Sequence, residues 1–195
     1  MAITSIKTGS SFTNLVKYND FLAGNPAFFP SSYESIATAT GTGSSGTITF
    51  SSIPNTYTHL QIRFMALTAT STDYITINAN SDTGSNYTWH ILGGSGTVAS
   101  AAGQANATYT YLDYNQPINT TNPSVGILDI HDYASTSKFK TGRCFTGCDK
   151  NGSGDVELNS FLWRSTSAIS TLTFKLQGGS VNFATTTTFA LYGIK

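Results

Sequence analysis

Asp82-Thr83-Gly84-Ser85 carries the short signature of an aspartic protease, in which two such aspartates share one proton and activate a water. One copy is present, and Ala79-Asn80-Ser81 precedes it where those enzymes have an apolar strand end. A tight turn after a strand over 74–79 accounts for the same residues. Asp149-Lys150-Asn151-Gly152-Ser153-Gly154-Asp155 begins like an EF-hand loop, with oxygen side chains at positions one, three and five and glycine at six. Position twelve is Ser160 instead of a bidentate glutamate, and both flanks read as strands, so a hairpin turned on Asn151-Gly152 is expected there. His59, His90 and His131 fall on separate strands and would have to converge to bind zinc, which nothing in their spacing demands. Asp129, His131 and Asp132 make a histidine–carboxylate cluster, yet no serine in a G-x-S-x-G context and no base-flanked cysteine accompanies it. The glycines of 41–46 lead into a strand and not into the helix that a phosphate loop needs. Every constellation lacks a required partner, so no enzymatic activity, metal or other cofactor is expected.

Trp89, Tyr109, Tyr111, Tyr114 and Trp163 are the aromatic residues best suited to stacking on sugar rings, with Asn and Asp nearby to hydrogen-bond hydroxyls. Core packing explains most of them equally well. Cys144 and Cys148 are four apart, which in a strand at about 3.3 Å per residue separates them by on the order of 13 Å, too far for a disulfide. Two free thiols and no signal-peptide pattern over Met1–Phe12 point to folding in a reducing cytosol.

The elements that position these residues follow from composition. The 195-residue chain contains 31 Thr, 24 Ser and 18 Gly beside 10 Tyr and 12 Phe, which favours strands and turns and argues against long helices. Ten cations balance ten anions, leaving no footprint for nucleic acid or an anionic membrane, and no apolar run is long enough for membrane insertion. Leu60, Ile62, Phe64 and Ala66 alternate with His59, Gln61, Arg63 and Met65, the period of a half-buried strand. Comparable runs at 33–40, 47–53, 73–79, 86–92, 107–114, 124–132, 138–146, 155–164, 169–176 and 187–194 predict ten or eleven strands, with longer loops over 93–106 and 115–123. An all-β chain is expected, a β-sandwich or barrel, and the strand number fits a single jelly-roll-like β-sandwich over 33–195 with extra edge strands. Residues 1–32 differ: Phe12, Leu15, Tyr18, Phe21 and Leu22 recur at helical spacing, Ser11 can cap the start, and Gly24 with Pro26 supplies a stop. A short N-terminal helical arm and linker is expected, closing the domain's end or docking into a larger assembly.

Several stretches resemble a domain found in virion proteins of tailed bacteriophages, of the kind carried by phages of marine and cyanobacterial hosts. They are Tyr33-Glu-Ser-Ile-Ala37, Phe50-Ser-Ser-Ile-Pro54, Tyr57-Thr-His-Leu-Gln-Ile-Arg63 and Asn80-Ser-Asp-Thr-Gly-Ser-Asn-Tyr87. Leu128-Asp-Ile-His-Asp-Tyr-Ala134, Lys138-Phe-Lys-Thr141, Leu162-Trp-Arg-Ser-Thr-Ser-Ala168 and Phe189-Ala-Leu-Tyr-Gly-Ile-Lys195 complete the set. The resemblance spans 33–195 and brings no catalytic residues. It implies a surface structural or adhesion module, folded in the host cytoplasm and incorporated into the virion. Virion β-proteins are frequently trimers, so a homotrimer bound to other capsid or appendage proteins is expected. The chain has one arm and one domain and no repeated shaft, which favours a capsid decoration or cement protein anchored by the arm residues named above. The other role is a tail or head fibre module that recognises a host surface glycan.

Overall fold

The computed structural model describes residues 32–195, so the helix expected within 1–32, with Phe12, Leu15, Tyr18, Phe21 and Leu22, lies outside the described residues. None of the described residues is helical, and no helix among them is long and apolar enough to cross a membrane. Among the described residues twelve strands run in chain order: β1 (Tyr33–Thr40), β2 (Thr47–Phe50), β3 (His59–Ala66), β4 (Ile75–Ala79), β5 (Tyr87–Gly94) and β6 (Ala99–Ala107), followed by β7 (Thr110–Tyr111), β8 (Ser124–His131), β9 (Lys140–Asp149), β10 (Gly154–Trp163), β11 (Leu172–Leu176) and β12 (Thr188–Ile194).

The strands form two antiparallel sheets, a large one ordered β1-β12-β3-β8-β9-β10-β5-β6 and a small one ordered β2-β11-β4-β7. Alternation decides which side chains enter the space between them. In β3, Leu60, Ile62, Phe64 and Ala66 are buried while Arg63 and Met65 face out. Phe174 of β11 meets Phe189 of β12 with ring centroids 4.7 Å apart, and Phe189 stacks on Phe64 at 5.2 Å, so one aromatic column joins the sheets. Burying each such ring contributes about 1.5–3 kcal/mol before ordering costs. The described residues thus form an all-β sandwich, as the strand pattern predicts.

Two pairings in the large sheet set an aromatic ring over a glycine. Phe64 lies opposite Gly126 and Phe161 opposite Gly142. A Cβ on Gly126 would stand 2.4 Å from the Phe64 ring, and one on Gly142 would stand 2.5 Å from the Phe161 ring. The missing side chain is therefore what lets each ring lie flat on its neighbour strand.

Two expectations are corrected. The stretch 93–106 is not a long loop: Ala99–Ala107 forms β6, the edge strand paired to β5 from Gly94↔Ala99 to Tyr87↔Ala107. Its sequence, ASAAGQANA, has no apolar–polar contrast, and its backbone bonds to β5 define it instead. Conversely the run 107–114 yields only the two-residue β7: Leu112 N still donates to Ile75 O of β4 at 3.0 Å, but Tyr114 N turns to the Glu157 carboxylate of β10 at 3.1 Å.

Candidate functional site

The sequence constellations resolve into structural roles. Asp82 closes its own turn: its carboxylate accepts hydrogen bonds from Gly84 N at 2.8 Å, Asn86 Nδ2 at 2.9 Å and Trp163 Nε1 at 2.7 Å. Burial pushes its pKa up, but these donors outweigh burial and hold it below the usual carboxylate range. A carboxylate so occupied has no oxygen free to share a proton with a second aspartate. The 149–155 segment is the expected hairpin, with Lys150 N donating to Ser153 O at 2.8 Å and positive φ at Asn151 (53°) and Gly152 (104°), as a two-residue primed turn requires.

His59 and His131 come together across β3 and β8, ring centroids 5.0 Å apart. His90 lies three strands beyond β8, on β5, so the three imidazoles do not converge. Asp132 N donates to His59 Nδ1 at 3.0 Å, and Lys138 Nζ donates to Asp132 Oδ2 at 2.7 Å. The Lys138 ammonium holds the Asp132 carboxyl below its ordinary range. Among the described residues no group of three or more His, Cys, Asp or Glu is placed to hold a metal ion. Cys144 and Cys148 are free thiols on the inner face of β9, and burial pushes the Cys144 thiol well up.

Four of the five stacking candidates gather in one cluster. Trp89 meets Tyr111 at 5.2 Å and Tyr114 at 4.9 Å, and Tyr109 meets Tyr111 at 5.3 Å. Tyr74, which the sequence did not single out, joins through Tyr111 at 5.9 Å. Trp163 stands apart, stacked on Tyr87 with its indole N–H held by Asp82. Trp89, Tyr111 and Trp163 are buried and serve packing, which leaves Tyr109 and Tyr114 with accessible faces. Tyr109 borders a surface pocket of about 200 Å³ on the outer side of the small sheet, with Thr76, Asn78, Thr83, Thr108, Lys175 and Gln177. Gln177 Nε2 donates to the Tyr109 hydroxyl at 2.9 Å and fixes the ring at the pocket wall.

Beneath the cluster lies a buried acidic pair that periodicity does not reveal. Glu157 accepts from Tyr114 N at 3.1 Å and from Asn115 N at 2.8 Å. Asp113 accepts from Ser124 Oγ at 3.1 Å through Oδ2, while its Oδ1 has no protein partner. Burial raises both carboxyls, that of Asp113 to about 8.

This acidic pair accompanies an inversion of the large sheet. In β10, Glu157 and Asn159 point inward while Val156 and Leu158 point to solvent. The neighbours follow suit: Thr146 is inside and Phe145 outside on β9, Val125 and Ile127 are outside on β8, and Leu92 is outside on β5. Cross-strand register places Ile127, Phe145, Leu158 and Leu92 directly opposite one another. A signal for this existed in the VELN run, whose polar and apolar residues alternate cleanly, but alternation does not say which set faces inward. Compared with known family models, curated proteins and solved structures, the chain matches none of them.

Proposed function

We propose that the chain is a structural protein of a bacteriophage virion surface, a capsid decoration or cement protein that binds other virion proteins. The observation that carries this reading is the outward apolar band on β8, β9, β10 and β5. Phe145 is 57% exposed and Leu92 61% exposed, and they sit in one continuous patch instead of being scattered. Patches of this kind mark contact surfaces, and an assembly protein needs one.

The strand order supports the same class. With β5, β6, β9 and β10 set aside, the remaining strands are β1-β12-β3-β8 and β2-β11-β4-β7. That interleaving of early and late strands is the order of a jelly roll, a fold frequent in capsids, and the four others widen one of its sheets. Fold analogy alone assigns no function, so the weight rests on the band. Phe12, Leu15, Tyr18, Phe21 and Leu22 would supply the anchor, and the protein would fold in the host cytoplasm before joining the virion. No reaction, cofactor, nucleic acid or membrane partner is part of this reading.

The test is imaging of particles carrying labelled protein. Label spread over the shell at lattice positions is expected, together with its loss on deletion of residues 1–32 while the sandwich stays folded. Label confined to a tail or vertex would overturn decoration in favour of an appendage. A second reading, recognition of a host surface glycan, is favoured by the Tyr109 pocket, where a ring, two amide side chains, threonine hydroxyls and Lys175 border one small concavity. Saturable binding of the protein to host cells, abolished by Tyr109→Ala, would establish it.

A further inference from the structure

We propose that the apolar band is the contact surface of a homodimer, formed when two copies pack the large sheet face to face about a twofold axis that runs across the strands, parallel to the sheets and midway between them. The proposal names a partner for the face on which the structural reading rests. It replaces the threefold assembly implied by the resemblance with a twofold one.

The band is two rows deep. One row is Ile127, Phe145, Leu158 and Leu92; the next, two residues along each strand, is Val125, Gly147, Val156 and Gly94. No bulge interrupts the pairing of β8 with β9, β9 with β10 or β10 with β5, so the rows are regular. Neither row contains a charge. The first carries the large side chains, and the second carries glycines at alternate positions. A Cβ built on Gly147 would meet nothing closer than a backbone oxygen at 3.6 Å, and one on Gly94 nothing closer than 3.8 Å, so both glycines are notches open to solvent.

A twofold axis between the rows maps each onto the other. Phe145 of one copy then lies over Gly147 of the second, Leu92 over Gly94, Leu158 over Val156 and Ile127 over Val125. Large residues meet glycines at two of the four positions. A contact of one surface with a different one would have no reason to show this self-match, whereas an isologous contact requires it.

Charge extends the match beyond the apolar rows. On β9 the same operation exchanges positions 143 and 149, so exposed Arg143 of each copy faces exposed Asp149 of the other, once on each side of the axis. The chain as a whole is neutral, so two copies approach without net repulsion. The exposed side chains of the band together with Met65 offer roughly 500–600 Å² of apolar surface, and a standard interface takes about 800 Å² per partner including its polar rim. Arg63, held over the rings of Tyr33 and Tyr192 at 5.7 and 5.2 Å, belongs to that rim.

Sedimentation of the full chain across a concentration series tests the proposal. A dimer is expected, with Phe145→Glu and Gly147→Leu each weakening its dissociation constant by about a hundredfold while the thermal midpoint of the fold is kept. Arg143→Glu should weaken it about tenfold, and adding Asp149→Arg to that variant should restore it. This swap keeps the test open if the band variants fail to fold. A monomer at every concentration overturns the proposal, whatever else covers the face. A trimer, or any oligomer indifferent to both Phe145→Glu and the charge swap, overturns it too. A monomer whose Phe145→Glu variant is lost from particles would sink the dimer and leave the structural reading standing. A dimer absent from particles would do the reverse.

Discussion

Asp113 occupies a place where ionisation is costly. Burial lifts its carboxyl from 3.8 to about 8, the Ser124 hydrogen bond opposes this, and the nearby Glu157 charge adds to it. The folded chain therefore keeps a proton that the unfolded chain has shed, and the associated stability is full below about pH 4 and lost as pH rises toward about 8. Glu157 and Asp155, raised by burial, act in the same direction. The lowered carboxyls of Asp82 and Asp132 work oppositely, contributing above the ordinary carboxylate range and failing on acidification. Asp113→Asn should flatten the decline in thermal midpoint between about pH 4 and about pH 8, raising the alkaline midpoint by several degrees. An unaltered slope would assign that decline to Glu157 and Asp155. Asn80 offers a different check. At φ 50° its Oδ1 accepts from Ser170 N at 2.9 Å and Thr171 N at 3.1 Å, and its Nδ2 donates to Ala168 O at 2.8 Å. Asn80→Ala should cost about 2–3 kcal/mol in urea unfolding by releasing the segment before β11.

At the scale of elements, the glycine–aromatic pairs make the large sheet sensitive to small additions. Gly126→Val would drive methyl groups into the Phe64 ring and should lower stability by more than about 2 kcal/mol, whereas Gly147→Ala, on the open side of the sheet, should be near neutral. Thermal denaturation of the two variants separates them. How much of this was readable depends on contrast within each run. β1 and β3 were readable to the residue because YESIATAT and HLQIRFMA lie between clear turn signals. β6 was not, because alanine, glycine and asparagine carry little strand preference and the element exists through its pairing with β5. The inverted band was half readable: Val156 and Leu158 visibly share a face, but the inner face of β10 is decided by Tyr114 and Asn115, which arrive from 42 and more positions away to cap Glu157. Strand order was unreadable for the same reason, since β12 pairs with β1 and β3 across most of the chain.

For the whole molecule, the sandwich presents two unlike outer surfaces: the apolar band on the large sheet and the hydroxyl- and amide-lined pocket on the small one. At concentrations low enough to dissociate the dimer, Phe145→Glu should reduce binding of a hydrophobic dye, while Tyr109→Ala should leave it unaltered. Equal dye binding by both variants would place the sticky surface elsewhere. The position of β12 also bears on how the molecule is made. β12 lies between β1 and β3, so β1 has no partner in its sheet until residues 188–194 have been synthesised, and β3 lacks one of its two neighbours. On the ribosome β1 stays unsatisfied until β12 has emerged, after the other described strands, which makes closure of the large sheet a late event among them and the nascent β1 edge the segment most in need of shielding.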